Sequence, residues 1–376
     1  MSAIERLLKA VPYVRRPFHQ RDVAVANLKV VEAELAATRA ELAGTKAELE
    51  ITKVRAANLE RPISSKVRRS FDQQLWFLLA EEDARQDHSI GNLRRYVAET
   101  VDKNCPCLEI GPSFSPILPK SAGYRTTIID HADQAGLVEK YTSHGVDVSK
   151  IEPVDIVWHG NSIAEATGRN RFDAIVAAHI IEHTPDLVQF LKDCSDALKQ
   201  DGFIFLLVPD KRYTFDFMQP LSDVAKILGD HRAGRVRHSF ESYFRLSMGV
   251  QDRGRIAWDQ SGVSHLTFPH GDPIRCRQVA EQFMASSSYV DVHENYFTPI
   301  SFAIILDELR YLGEIELELK VLTRPRECEF LAVLHKVGNS RVLSAESYLE
   351  RKMHGHVMLM AEELERIKSA AKVLLD

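Results

Sequence analysis

The chain has 376 residues, of which 45% are apolar and 27% charged, and its net charge is -5. This composition fits a folded protein with a large apolar core and excludes disordered and fibrous classes. The small acidic excess and the absence of a long basic stripe in the central region argue against nucleic acid as a partner. Five cysteines without a paired C-x-x-C arrangement argue against a disulfide framework or a four-cysteine zinc site.

Nothing in the sequence predicts a membrane span or a secretion signal. The N-terminus, MSAIERLLKAVPYVRR, has no adequate apolar run before a small-residue cleavage site. No segment approaches about 18 uninterrupted apolar residues, the length that a spanning helix needs. We therefore expect a soluble, cytoplasmic protein.

A seven-residue repeat marks the first region of the chain, residues 1–60. Leucines recur at every seventh position, with valine or threonine three positions later: Leu28, Leu35, Leu42, Leu49, then Val31, Thr38, Thr45 and Thr52. Glutamates at the following g positions face basic residues at e positions in a parallel pair. The pattern predicts a homodimer through a parallel coiled coil over residues 21–60. The alternative is a single charged helix, since threonine packs poorly at d positions.

The next segment, residues 61–100, is predicted to be a linker followed by helices. RPISSK at 61–66 stops the preceding helix through its proline and serines. Two helical patterns come next, at roughly 68–83 and 88–103. They lead into the first strand of a larger domain.

That domain begins with CLEIGPSFSPILP, residues 107–119, where an apolar strand breaks into a turn. Glu109 sits at the strand's carboxyl end and Gly111 permits a backbone turn that a side chain would obstruct. A second strand, YRTTIID, ends in Asp130, 19 residues after Gly111. This spacing suits a carboxylate that binds ribose hydroxyls at the edge of a doubly wound sheet.

Strands and helices then alternate. A helix is predicted around 135–144 and a strand around 153–158, followed by the buried strand and turn FDAIVAAHIIEH at 172–183. An amphipathic helix closed by Gly202 leads into a fifth strand at 203–210. This alternation implies parallel βαβ units, and so an α/β doubly wound sheet over residues 101–210.

The rest of the chain has three predicted parts. Residues 211–297 are far more than a connection requires and are predicted to be a substrate-covering insertion. Residues 298–337 hold a helix capped by Thr298, running to Leu312, and two final strands, the last of them antiparallel. Residues 338–376 form an amphipathic helix of mixed charge, which favours packing on protein over a membrane role.

The ordered set of motifs from Val101 to Val337 resembles class I S-adenosylmethionine (SAM) dependent methyltransferases. It comprises E-x-G at Glu109, the acid Asp130, FDAIVAAHIIEH, the turn before FIFLLVPD, and the late helix with two strands. The resemblance implies a Rossmann-like, mostly parallel seven-stranded sheet and SAM as cofactor. One departure is that Ser113 and Ser115 stand where the family loop E-x-G-x-G-x-G has its later glycines.

By the same resemblance, the cofactor would contact four strand ends. Glu109, Gly111 and Ser113 would lie near the methionine moiety, and Asp130 would bind the ribose. Residues near Trp158 to Ser162 would flank the adenine, and Ala177 to His179 would border the methyl group. Within these last two ranges, the residues predicted to bind the cofactor are Trp158, Asn161 and Ala178.

Three ionisable residues at the end of the fourth strand are candidates for catalysis: His179, Glu182 and His183. Methyl transfer to a hydroxyl needs an aligned acceptor and a base for its proton, and either histidine can serve near neutral pH. Alternatively, Glu182 and His183 only cap and orient the following helix.

A third interpretation is a divalent metal site. H-x-x-E-H resembles the E-x-x-E-H of small-RNA 2'-O-methyltransferases and of ubiquinone-pathway O-methyltransferases, with His179 in place of the first glutamate. The fourth ligand and the ion are left open, with His238, His265 and His270 as candidates.

The insertion is rich in polar and aromatic side chains that suit a hydroxylated or anionic acceptor. The residues predicted to bind substrate are Asp210, Arg212, Tyr213 and His238, whereas His231 and Arg237 are expected to be solvated or ion-paired. PDKRYTFD together with FTPISF resembles a bacterial methyltransferase subgroup associated with surface-polysaccharide synthesis. That resemblance points to a glycan or small-molecule hydroxyl as acceptor.

Two functions of different classes are compatible with these patterns. The first is an O-methyltransferase acting on a sugar or polysaccharide-related hydroxyl. The second is a coiled-coil assembly protein of a glycan-synthesis complex, with a weakly active or inactive methyltransferase-like domain. Glu109, Gly111 and Asp130 favour the first, and Ser113 with Ser115 leaves room for the second.

Overall fold

A computed structural model describes residues 92–286, 290–338 and 344–375. The coiled coil predicted over 21–60 and the helix predicted near 68–83 lie outside these ranges. The helix predicted near 88–103 is described from its cap onward, where the Asn92 side chain accepts the Arg95 N–H at 2.9 Å.

Within the described ranges, seven strands form one sheet and two short strands form a hairpin. The strands are β1 (Cys107–Ile110), β2 (Thr126–Asp130), β3 (Ile156–Val157), β4 (Phe172–Ala178), β5 (Leu198–Pro209), β6 (Gln251–Asp252), β7 (Leu266–Thr267), β8 (Leu317–Leu322) and β9 (Glu329–Lys336). The large sheet has the order β3-β2-β1-β4-β5-β9-β8, and β6 pairs with β7.

Six of the seven strands run in one direction. β3, β2, β1, β4 and β5 pair in parallel, while β9 is antiparallel to both of its neighbours, β5 and β8. The order reverses between β1 and β4, so a ligand is expected beyond the carboxyl ends of these two strands. This is the Rossmann-like methyltransferase fold, and it confirms the predicted doubly wound, mostly parallel sheet with its antiparallel last strand.

Nine α-helices accompany these strands in the described ranges. They are α1 (Leu93–Thr100), α2 (Gln134–Thr142), α3 (Ile163–Thr167), α4 (Leu187–Ala197), α5 (Val224–Arg232), α6 (Phe240–Ser247), α7 (Pro273–Ala285), α8 (Pro299–Tyr311) and α9 (Ala345–Leu375). Thr298 caps α8 as predicted, because its hydroxyl accepts the Ser301 N–H and the Ser301 hydroxyl returns a bond to the Thr298 backbone.

Apolar residues cover both faces of the sheet. On one face, Val97 of α1 packs in a buried cluster with Val176 of β4. On the other face, Leu191 of α4 and Phe302 of α8 share a cluster with Ile175. Central strands buried on both sides are typical of parallel sheets and explain the continuous apolar run of β4.

One predicted boundary is wrong. The helix expected to close at Gly202 ends at Ala197, and residues 198–202 belong to β5. Leu198 pairs with Phe172 at the start of β4, and Asp201 takes a left-handed backbone with a φ of 61°. Tertiary pairing with β4 therefore outweighs the helical pattern of this stretch.

The predicted insertion between β5 and α8 forms a small folded unit of its own. It contains α5, α6, α7 and the β6–β7 hairpin. Phe217, Val250, Trp258 and Val263 form one buried cluster, while Tyr243, Ala280 and Val292 form another. Its two ends return to the sheet, where Lys211 and Phe297 share a backbone hydrogen bond.

The C-terminal helix α9 forms as predicted and packs on the domain. Gly355 lies so close to α8 that an added Cβ would stand 2.9 Å from Cγ1 of Ile304. Farther along α9, Glu362 reaches Arg212 at 3.3 Å. Among the described helices, none combines the length and apolar character that crossing a bilayer would require.

Candidate functional site

The turn after β1 is shaped by Gly111. Its φ is 63°, and a Cβ at this position would lie 2.5 Å from Cδ1 of Ile180. Any other residue would meet both backbone strain and a clash. The turn thus approaches closely the segment that follows β4, as the sequence predicts for a cofactor-binding edge.

Ser113 and Asp130 join the ends of β1 and β2. The Ser113 N–H donates to Asp130 Oδ2 at 3.0 Å, and Ser113 has a left-handed φ of 46°. The other oxygen, Oδ1, accepts the His131 N–H at 2.7 Å and lies 2.7 Å from His131 Nδ1. The Ser113 hydroxyl also donates to Oδ2 at 3.4 Å, so both acceptor positions of this oxygen are engaged by Ser113. The left-handed backbone also explains why glycine suits this position in the family loop.

Glu109 lies behind the turn. Its side chain is 2% exposed and its two oxygens accept the N–H groups of Ile117 at 2.6 Å and Leu118 at 3.0 Å. Burial raises the pKa of this carboxyl to about 7, against the opposing effect of the two N–H groups. The expectation that Glu109 and Asp130 wall one cleft together therefore needs correction. Asp130 stands at the turn, whereas Glu109 holds the loop beneath it.

The remaining predicted cofactor residues lie at the ends of β3 and β4. The Trp158 N–H donates to the Asp130 carbonyl at 2.7 Å, and its indole N–H donates to the Asn161 carbonyl at 2.7 Å. Ala178 is half-buried at the end of β4. Ser115, in contrast, is held by Arg94, whose guanidinium donates to its hydroxyl at 3.1 Å.

His179 directly follows β4 in a left-handed conformation, with a φ of 54°. Its Nε2 lies 2.7 Å from Oε2 of Glu329, the first residue of β9, and its side chain is 35% exposed. Burial would raise the pKa of Glu329, but the hydrogen bond with His179 and the charge of Arg94 outweigh burial and lower it. An imidazole oriented by a carboxylate and open to solvent is the arrangement of a general base.

Glu182 is fully buried beside two histidines. Both of its carboxylate oxygens lack a hydrogen-bond partner among the described residues. Oε1 lies 3.6 Å from Nδ1 of His179 and 3.6 Å from Nε2 of His183. His183 Nδ1 lies 3.0 Å from the Val292 carbonyl oxygen and 3.1 Å from Asp291 Oδ1. Burial lowers the pKa of His183.

A third histidine comes from the far end of the insertion. The ring centroids of His293 and His183 are 4.6 Å apart, and His293 Nδ1 lies 2.5 Å from Oδ2 of Asp216. Burial works against protonation of His293, but Asp216 outweighs it and raises the pKa to about 9. Each of Glu182, His183 and His293 offers one ligand atom within 4.8 Å of the others.

The predicted additional metal ligands do not reach this cluster. His238 is buried elsewhere, with Nδ1 3.4 Å from Oε2 of Glu294. The His265 backbone donates to Asp252 in the hairpin, and His270 is exposed. His293, which the sequence reasoning did not single out, takes the place expected for one of them.

Asp210 and Arg212 form an internal ion pair. Arg212 donates from Nε and Nη2 to both oxygens of Asp210, which is 0% exposed, and Nη2 lies 3.3 Å from Glu362 of α9. The Arg212 guanidinium also lies over the Tyr213 ring, 5.5 Å from its centroid. These contacts join β5 to α9 and give Asp210 and Arg212 a structural part, in place of the substrate contact expected from their position.

Two functional candidates were missed from the sequence: Glu329 and His293. Glu329 is 150 residues from His179 along the chain, and only the antiparallel pairing of β9 with β5 brings them together. A partial signal existed for His293, since DVHENYF places a histidine and two acids just before the Thr298 cap.

Comparisons with known proteins give a family-model match over part of the chain. Residues 120–206 match the family model described as a methyltransferase domain. A search of curated proteins finds no match.

Solved structures match this chain at low identity and with low TM-scores. A SAM-dependent methyltransferase from Methanosarcina mazei is 14% identical, with 64% of this chain and 97% of that chain covered and a TM-score of 0.34. A SAM-dependent methyltransferase from Mesorhizobium loti is 9% identical, covering 65% and 95%, with a TM-score of 0.34. The 1,6-didemethyltoxoflavin-N1-methyltransferase of Burkholderia thailandensis, bound to its substrate and S-adenosylhomocysteine, is 12% identical, covering 68% and 81%, with a TM-score of 0.33.

Likeness at this level carries no information on substrate or on the atom methylated. The family-model match runs from residue 120, ahead of β2, to residue 206 within β5. Over this range the chain is similar to methyltransferase domains, and the sheet that contains it has the Rossmann-like methyltransferase fold.

Proposed function

We propose that the protein transfers a methyl group from SAM to a hydroxyl of a sugar or polysaccharide-related acceptor. The observation that carries this proposal is the pair formed by His179 and Glu329. It stands at the carboxyl end of β4, next to the Gly111 turn, where a base for the acceptor hydroxyl is required.

The chain's own residues have distinct tasks in this reaction. Asp130 would hold the ribose and so fix the reactive end of the cofactor relative to β4. His179 would accept the acceptor's proton, and Glu329 would keep its ring in place and stabilise the charged imidazolium. SAM supplies an electrophilic methyl group, so alignment and removal of one proton are what the protein must add.

The acceptor class rests on the insertion and on resemblance. Tyr213 and the histidines of the insertion provide aromatic faces and donors that suit a hydroxylated ligand. The PDKRYTFD and FTPISF segments resemble a polysaccharide-associated subgroup, and this supports a glycan acceptor by analogy. We also propose a homodimer through residues 21–60 and a cytoplasmic location.

The assembly-protein alternative rests on the loop that follows β1. Ser113 and Ser115 replace glycines, and Ser113 already donates to the carboxylate that would bind ribose. If this loop kept the cofactor out, the domain would serve only as a folded platform.

Calorimetry with S-adenosylhomocysteine separates the two functions. We expect the full chain to bind it at a ratio of one per chain, and Asp130→Ala to weaken binding by about 10-fold to 100-fold, because charge-assisted hydrogen bonds are lost. Glu139→Ala, an exposed carboxylate change on α2, should bind like the native chain. Absence of binding by the native chain would favour the platform, and unchanged affinity in Asp130→Ala would remove Asp130 from the site.

A further inference from the structure

The starting observation is the buried carboxylate of Glu182, which accepts no hydrogen bond within the described ranges. Its side chain is 0% exposed. An isolated buried carboxylate is strongly unfavourable, so buried charges are ordinarily paired or coordinate metals. The backbone is fixed as well, since the Glu182 carbonyl accepts the N–H groups of Glu294 at 2.6 Å and Asn295 at 3.0 Å. The carboxylate is therefore held in place without a hydrogen bond, and the histidine nitrogens of its two ion-pair contacts stand 3.6 Å from Oε1.

The orientation of His183 adds to this. Its Nδ1 lies 3.0 Å from the Val292 carbonyl oxygen, a contact that requires a proton on Nδ1. In the neutral ring Nε2 then carries a lone pair, and it lies 3.6 Å from Oε1 of Glu182. Two acceptors face each other at a distance too long for a hydrogen bond. A cation between them would satisfy both.

His293 is arranged in the same way. Its Nδ1 is engaged by Asp216, which leaves Nε2 as the free nitrogen. Histidines that bind metals characteristically donate their other ring N–H to a carboxylate or a backbone carbonyl. His293 has the carboxylate and His183 has the carbonyl.

We propose that Glu182, His183 and His293 bind one divalent transition-metal ion. Two imidazoles and one carboxylate match the ligand set of open Zn²⁺ sites and of related Fe²⁺ and Mn²⁺ sites. Such ligands stand about 2.0–2.2 Å from the ion, so atoms already within 4.8 Å of one another need only a small inward shift.

The position of this site suggests its task, and this step rests on the proposed function. Glu182 and His183 follow β4, whereas Asp216 and His293 come from the two ends of the insertion. An ion would thus fix the insertion to the sheet three residues beyond His179. The ion would bind the acceptor oxygen at a coordination position that none of the three protein ligands fills. His179 takes the hydroxyl proton, the oxygen forms a bond to the methyl carbon, and the carbon–sulfur bond breaks with its electron pair staying on sulfur.

Metal binding is testable without turnover. The full chain is treated with a chelator, dialysed and titrated with Zn²⁺ by calorimetry, with metal content measured after gel filtration. We expect one ion per chain at micromolar affinity or tighter. Glu182→Gln and His293→Ala should each weaken binding at least 100-fold. His231→Gln is the matched control, since His231 is also paired with a carboxylate, Asp186, but lies outside the cluster.

Two further measurements keep the result interpretable. Co²⁺ in place of Zn²⁺ should give visible absorption bands in the native chain that Glu182→Gln lacks. In chelator-treated protein, Glu182→Gln should melt at a higher temperature than the native chain, because it removes an uncompensated buried charge. Because the Glu182 carboxylate accepts no hydrogen bond, Glu182→Gln removes none, and the melting curve shows whether the variant is folded.

The proposal is overturned if the native chain binds no stoichiometric ion, or if Glu182→Gln and His293→Ala bind it as tightly as His231→Gln. Binding of S-adenosylhomocysteine is measured on the same samples. If the chain binds S-adenosylhomocysteine but no metal, only this inference is overturned. If it binds metal but no S-adenosylhomocysteine, only the proposed function is overturned.

Discussion

Two non-glycine residues at the candidate site have a left-handed backbone. Ser113 and His179 have φ values of 46° and 54°, at the ends of neighbouring strands. Such conformations cost about 1 kcal/mol or more each and persist where the surroundings enforce them. At His179 the enforcing contacts are Glu329 and the turn that follows β4. Because His179 is also the proposed base, it carries the first test of the chemistry.

We expect His179→Ala to lower kcat by about 10² to 10⁴, because a general base contributes a factor of this size. Glu329→Gln should lower kcat by about tenfold with little change in KM, because it acts by positioning His179. S-adenosylhomocysteine affinity should stay unchanged in both. Steady-state kinetics with a methyl acceptor and calorimetry provide the measurements.

Glu327→Gln is the control for this pair of variants, since Glu327 is an exposed acid two residues from Glu329. Native turnover in His179→Ala would assign His179 to structure. A weaker cofactor affinity in Glu329→Gln would mean that Glu329 supports the cofactor edge instead.

The sequence alone could predict residues that lie at a strand end and at a characteristic spacing from a residue at the neighbouring strand end. Gly111 and Asp130 belong to this group, because local turn chemistry and strand order constrain them. The orientation of Glu109 could not be read in this way, since a strand end allows its carboxylate to face either the cleft or the loop. Glu329 and His293 depend on pairings between distant segments, which no local pattern records.

At the scale of elements, apolar runs predicted the strands well. β4 and β9 are buried on both faces, and their continuous apolar residues leave little choice of structure. The end of α4 was wrong because the stretch 198–202 pairs with β4 despite its helical pattern. The insertion was predicted as a substrate-covering excess of chain, but its internal helices and hairpin were not predicted. Its internal helices bury small clusters of their own and attach to the sheet through polar contacts.

Glu294 joins segments of the insertion to one another through its side chain. It accepts the Ser239 N–H at 3.2 Å and lies 3.4 Å from both Lys226 Nζ and His238 Nδ1. Burial would raise its pKa, but the hydrogen bond with His238 and the charge of Lys226 outweigh burial and lower it to about 2. A lowered folded-state pKa means that this stabilisation is present above pH 4.5 and is lost as the pH falls towards 2.

We therefore expect the free energy of unfolding of the native chain to fall by about 3 kcal/mol more than that of Glu294→Gln between pH 5 and pH 2. Glu294→Gln should be less stable than the native chain at pH 7, and its free energy of unfolding should change less as the pH falls below 5. Urea unfolding at several pH values measures both. Glu139→Gln, on the exposed side of α2, should keep the native pH dependence. Parallel acid limbs for Glu294→Gln and the native chain would contradict the assignment.

At the scale of the whole molecule, two segments of the chain are candidates for holding the predicted dimer together. The leucine repeat over 28–49 predicts a parallel pair. The C-terminal helix also exposes large apolar residues in this single chain: Leu349, Met353, Val357, Met360, Leu364 and Ile367. The two segments make different predictions about what holds a dimer, so a change confined to the leucine repeat can distinguish them.

In the full chain, the double change Leu35→Asp with Leu42→Asp should convert a dimer into a monomer. Charges at two consecutive a positions would be buried in the seam, which costs several kcal/mol. Sedimentation equilibrium should show the mass halved. S-adenosylhomocysteine affinity should be unchanged, because the cofactor edge is built from residues 109–179. The matched control is Ala36→Asp with Ala43→Asp, which places the same charges at the adjoining b positions, on the solvent side of a heptad. A dimer that survives the leucine changes would move the interface away from the coiled coil, and a control that also dissociates would show that added charge alone separates the chains.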